Sequence, residues 1–145
     1  MKRLIYSLSL ALLALTFFTG CKKETRSSHP TNYSTSGIDG KWNLMRVYGG
    51  IMGANETHSD GEIEWTFNTQ NMTLNVNNTS GNSGYYYLPS GTYNFQEISN
   101  SNGQYLVIDA NELGEFVISG NRLLIDENKK SSGEGACGFY MELER

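Results

Sequence analysis

The chain has 145 residues, with 11 Lys or Arg against 15 Asp or Glu and a formal net charge of −4. That length favours a single domain. The acidic balance makes nucleic acid a poor partner, because phosphate recognition depends on clustered basic side chains.

Residues 1–20 read as a segment apart from the fold. Lys2 and Arg3 precede an almost unbroken apolar run from Leu4 to Phe18. The run is short for a membrane-spanning helix of about 20 residues and suits the apolar region of a signal peptide. It ends in "FFTGC", with Thr19 and Gly20 directly before Cys21. Basic start, apolar run, small pair and cysteine, in that order, resemble the lipobox of bacterial lipoproteins. The resemblance implies cleavage before Cys21, a diacylglyceryl group on its thiol and acylation of its amino group. The alternative is an ordinary secretory signal cleaved near Gly20. Each buried CH2 of an acyl chain contributes about 0.8 kcal/mol, so three chains anchor a protein in effect permanently. The expected location is the cell envelope, lipid-anchored to the outer membrane and facing either side. Lys22 after the cysteine resembles lipoproteins sorted onward from the inner membrane.

Cleavage would remove Lys2 and Arg3 and no acid, leaving 9 basic against 15 acidic residues, a balance of −6. Such a body is ill suited to docking on anionic lipid. Residues 21–37 form the lipidated cysteine and a Ser/Thr-rich flexible tether, "KKETRSSHPTNYSTSG" after Cys21. A flexible segment of that length reaches about 20–25 Å. With Cys21 lipidated, Cys137 is the remaining thiol; it reads as a small, partly buried residue at the entrance to the last strand, or as a site of intermolecular pairing.

Residues 38–145 are expected to be all-β. Their hydrophobic period is two, with no helical repeat. Strand-like runs fall at about 41–48, 61–67, 71–77, 91–98, 104–109, 114–119, 121–126 and 138–144, separated by Gly/Asn/Ser turns. Eight short antiparallel strands in a meander close naturally into an up-and-down barrel, which removes exposed edges. A two-sheet sandwich is the alternative. Alternation places Trp42, Leu44, Arg46 and Tyr48 on one face of the first strand. The same reading turns inward Ile63, Trp65 and Phe67, then Met72, Leu74 and Val76, Tyr93 and Phe95, Leu106 and Ile108. Phe116 and Ile118, Leu123 and Ile125 follow, then Phe139, Met141 and Leu143, with Arg145 inward by the same count.

"GKWNL", "GEIEWTFN", "SGTYNF" and the closing "CGFYMELER" resemble the lipocalin superfamily, above all small lipocalin-like domains of bacterial lipoproteins. The resemblance covers about residues 38–145. It implies an eight-stranded antiparallel barrel whose end is closed by Gly40 and Trp42, with Arg145 over the indole. No C-terminal helix is expected. Strands of about six residues, tilted near 40°, give a barrel only about 15 Å tall. The many Trp, Phe, Tyr, Leu, Ile and Met residues on the inward list argue for a filled core with at most a shallow cup.

Two non-catalytic functions are open. One is a binding protein for a small apolar or amphipathic ligand, with Arg46, Tyr48, Trp65 and Tyr93 as the ligand-binding set and Arg46 gripping a carboxylate headgroup. The other is a solid-barrel interaction module for an envelope or extracellular protein, a hydrolase inhibitor for instance, using its loops and a patch of Tyr85, Tyr86 and Tyr87. No nucleophile–base–orienter set can be assembled, so no enzyme activity is expected. Glu56, His58 and Asp60 share a loop, but one histidine without regular ligand spacing makes no metal site. No cofactor is expected.

Overall fold

The computed structural model describes residues 37–81 and 87–145. The signal segment, Cys21, the tether up to residue 36, Tyr85 and Tyr86 lie outside the described residues. The described strands are β1 (Gly40–Gly49), β2 (Ala54–Thr57), β3 (Ile63–Asn68), β4 (Thr73–Asn78), β5 (Gly91–Asn100) and β6 (Gly103–Ile108). They continue with β7 (Asn111–Ser119), β8 (Arg122–Asp126), β9 (Lys129–Lys130), β10 (Gly133–Glu134) and β11 (Phe139–Glu144). No helix occurs among the described residues.

Strands pair in the order β11-β8-β7-β6-β5-β4-β3-β1-β2, and a further β11–β1 pairing closes the ring. The result is a closed eight-stranded antiparallel barrel with one extra short strand, β2, which follows β3 along the same edge of β1. The expected meander is therefore observed, and the sandwich is not. Eight strands enclose a space just wide enough for side chains to fill. Trp42, Trp65, Phe67, Phe95, Leu44, Leu74, Leu106, Leu123, Ile125 and Met141 fill it and are fully buried. Phe67 and Phe95 meet edge to face at 5.2 Å between ring centres.

β1 is the strand on which closure depends. Gly40–Asn43 pair with β3 and Arg46–Gly49 with β2, while the other edge, Asn43–Gly49, lies along β11. The register with β11 shifts between Leu44 and Arg46. One extra residue in a strand reverses the facing of everything after it. Val47 accordingly occupies the interior, fully buried, and Arg46 and Tyr48 turn to the outer wall. The inward placement expected for Arg46 and Tyr48 is thus corrected. Met72 also departs from the inward list: it sits in the β3–β4 turn at φ 53° and is exposed.

A second bulge lies between β6 and β7, where the register shifts between Leu106 and Val107. It sits beside Gly114, which has φ 150° and whose Cβ, if present, would overlap the Asp126 carbonyl oxygen. Only glycine fits there. Residues 127–138, carrying the β9–β10 pair, fold back against β7. Lys129 Nζ meets Glu115 Oε2 at 2.5 Å, and Lys130 Nζ donates to the carbonyls of Glu112 and Leu113. The Ser131 N–H and hydroxyl both donate to the Glu112 carboxylate. Glu115 and Asp126 are buried on this side of the barrel. Burial raises the Glu127 carboxyl; the Phe139 N–H and Lys130 oppose that rise, and Asp126 adds to it.

Candidate functional site

Antiparallel alternation places the start of β1, the β3–β4, β5–β6 and β7–β8 turns and Arg145 at one end of the barrel. That end is closed. Trp42 Nε1 donates to the Ile38 carbonyl at 2.7 Å, and the Arg145 guanidinium carbon lies 4.4 Å from the indole centre. Arg145 is exposed rather than inward: its N–H donates to the Asn121 carbonyl and Nη1 to the Asp39 carbonyl. Asp39 accepts both the N–H and the hydroxyl of Thr69, and the former above all holds its carboxyl below the usual range. A glycine at position 40 suits φ 102°. Gly40, Trp42 and Arg145 therefore meet in an architectural site.

The opposite end carries the β1–β2 turn, the segment 58–62, the β4–β5 connection and residues 127–138. A polar chain of contacts crosses it. Tyr87 donates its hydroxyl hydrogen to Glu56 Oε2 at 2.7 Å, and its oxygen lies 2.8 Å from His58 Nε2. Since a phenol has one hydrogen to give, His58 Nε2 must be the donor in the second bond. His58 Nδ1 faces Glu62 Oε1 at 3.7 Å, and the imidazole and Tyr87 rings meet edge to face at 5.1 Å. The His58 side chain is only 2% exposed. Tyr87 is buried in the core cluster, which corrects its expected place in an exposed tyrosine patch. It ties the β4–β5 connection to β2 and to the segment before β3. No sequence signal links His58 to Tyr87, 29 residues away.

The four residues expected to bind a ligand do not converge. Trp65 is in the core beside Trp42, its cross-strand partner, and its Nε1 is buried without a hydrogen-bond partner. Tyr93 packs against the core from β5 and donates its hydroxyl to the Pro89 carbonyl at 2.7 Å. Arg46 and Tyr48 stand on the outer wall. Arg46 Nε donates to Asn55 Oδ1 of β2 at 2.9 Å, and its guanidinium carbon lies 4.4 Å from the Tyr48 ring centre. Tyr48 stacks on Tyr140 of β11, with ring centres 5.0 Å apart and planes 14° from parallel. Burial, and then the Glu142 carboxylate, push the Tyr48 hydroxyl up to about 12.

Among the described residues, no three His, Cys, Asp or Glu side chains gather as a cation site. Cys137, half-buried at φ 64°, is disulfide-bonded. No family model, curated protein or solved structure matches the chain at a significant level.

Proposed function

We propose that the chain is a lipid-anchored, non-catalytic binding module of the cell envelope, lipocalin-like in fold, that recognises a protein partner with its outer surface. One observation carries this reading: the barrel interior is occupied by its own side chains, from Trp42 and Phe67 at the closed end to Val47 and Ile63 nearer the other. A carrier for a lipid-like molecule needs an apolar cavity of some 300–1,000 Å3. The outward Arg46 also removes the charged interior anchor on which carboxylate capture would rely. The unpartnered Trp65 Nε1 favours a second reading, in which a small acceptor is admitted to the interior.

Native mass spectrometry of the chain purified from its producing cells tests the choice. The proposal expects no stoichiometric small molecule and no melting shift across a fatty-acid and lipid panel; a retained ligand would sink it. Intact mass tests the anchor as well. With two cysteines in the sequence, an intrachain disulfide at Cys137 and a thioether at Cys21 exclude each other. The anchored form expected here carries acyl mass and lacks that intrachain disulfide.

A further inference from the structure

The β1–β2 hairpin carries features that the architecture of the barrel does not use. β2 is the terminal strand of the sheet order, bonded to β1 alone. The hairpin tip holds Ile51 and Met52, which are 78% and 97% exposed. Isolated exposed apolar residues are ordinary on a protein surface, but here the two most exposed large ones among the described residues are adjacent. They are also held in place. The Gly50 N–H donates to the Gly138 carbonyl at 3.0 Å, and a Cβ on Gly50 would lie 2.6 Å from the Phe139 ring. Gly53 N–H closes the turn onto the Gly50 carbonyl.

Arg46 lies at the base of the same hairpin, four residues from the tip, or about 13 Å along the strand. Its Nε is pinned by Asn55 and its plane rests beside Tyr48, which fixes the side chain. Its two terminal amino groups have no partner among the described residues. Glu142 stands directly opposite Arg46 in the β1–β11 register, yet the two form no ion pair. A guanidinium held in this way is a preorganised fork with its donors unspent, and its best complement is a carboxylate accepting two parallel bonds. Tyr, Arg and Met are enriched in protein interfaces.

We propose that the β1–β2 hairpin is the docking surface for a protein partner that presents a carboxylate to Arg46 and an apolar recess to Ile51 and Met52. This rests on the interaction-module reading above and names the part of the surface that performs it. A lipid surface is the poorer occupant. The sequence carries 15 Asp or Glu against 11 Lys or Arg, a balance that opposes anionic headgroups.

The test pans a phage-displayed library of random linear peptides against the immobilised full chain. Enriched peptides should pair an Asp, Glu or free C-terminal carboxylate with an aliphatic or aromatic residue about four or five positions away, the extended span from Arg46 to the tip. Arg46→Lys, which keeps charge but loses the fork, and Met52→Asp should each weaken a selected peptide at least about tenfold. Gln96→Ala, on β5 away from the hairpin, should leave it unchanged; circular dichroism verifies that all three variants fold. No enrichment, or enrichment of peptides without a carboxylate, overturns the proposal. Peptides that ignore both hairpin variants overturn it too, while leaving the interaction-module reading intact. Self-association of the chain that Met52→Asp abolishes also overturns it, by making a second copy the occupant.

Discussion

Tyr87→Phe removes one oxygen and tests whether the polar chain at the open end holds the loops together. The change keeps the ring and its edge contact with His58 and deletes both bonds of the hydroxyl. The bond to the Glu56 carboxylate is of the charge-assisted kind, worth about 1.5–3 kcal/mol, and a neutral bond is worth about 1 kcal/mol. Glu56 is half-buried and regains water in the variant; His58, at 2% side-chain exposure, keeps an unmatched Nε2–H. The two bonds sum to about 2.5–4 kcal/mol, and with Glu56 rehydrated the expected loss is about 2–3 kcal/mol. For a domain of this size that is a fall in Tm of roughly 8–12 °C. Urea unfolding followed by tryptophan fluorescence reads it directly, because Trp42 and Trp65 are both in the core. Tyr105→Phe is the control: Tyr105 is buried too, but its hydroxyl has no hydrogen-bond partner among the described residues, so the same deletion should cost little. A Tyr87→Phe loss below about 0.5 kcal/mol, or one equal to that of Tyr105→Phe, would refute the reasoning.

The two core tryptophans should respond unequally to Phe: Trp42→Phe loses the bond to Ile38 and the Arg145 contact, whereas Trp65→Phe removes an N–H that was already unpaired. Chemical denaturation should show Trp42→Phe the costlier by about 1–2 kcal/mol, with Arg145→Ala accounting for about 0.5–1 kcal/mol of that difference. Gly114→Ala should cost about 2–5 kcal/mol, since the methyl meets the Asp126 carbonyl and the backbone is held at φ 150°; calorimetry checks it. For Glu127, burial raises the folded-state carboxyl above its unfolded value, so the folded chain holds that proton more tightly. Its favourable contribution is fully present below the unfolded value of 4.5 and is lost as pH rises through the folded one. Glu127→Gln should then gain Tm relative to the parent as pH goes from 4 to 7, and a constant difference across that range would contradict it. Nitrogen NMR of His58 should show the Nε2–H tautomer when the ring is neutral, as the single hydrogen of Tyr87 requires.

Much of the barrel was legible because alternation is a strong signal wherever one face is buried. Trp65 and Phe67, Leu74 and Val76, Leu123 and Ile125 all take the side that the period-two pattern assigns. What escaped was whatever depends on an inserted residue or on long-range pairing. Nothing in "NLMRV" marks a bulge at Met45, whereas Gly114 inside a strand-like run is a bulge signal that was open to reading. β2, "ANET", is short and polar and exists as a strand only through its pairing with β1. The meeting of His58 with Tyr87 depends on two connections arriving at one end of the barrel, and no local pattern encodes that.

The bulge at Met45 has a consequence for function out of proportion to one residue. Without it, Arg46 would enter a core of Trp, Phe and Leu side chains, where an unpaired guanidinium is costly. With it, Val47 fills that position, and the charge is delivered to the outer wall beside two stacked tyrosines. The same slip thus completes the apolar interior and equips the exterior. A barrel of this size can hold a ligand or a packed core, but not both. Here the added residue takes the second course, and the polar chemistry of Arg46 and Tyr48 is left on the outer wall.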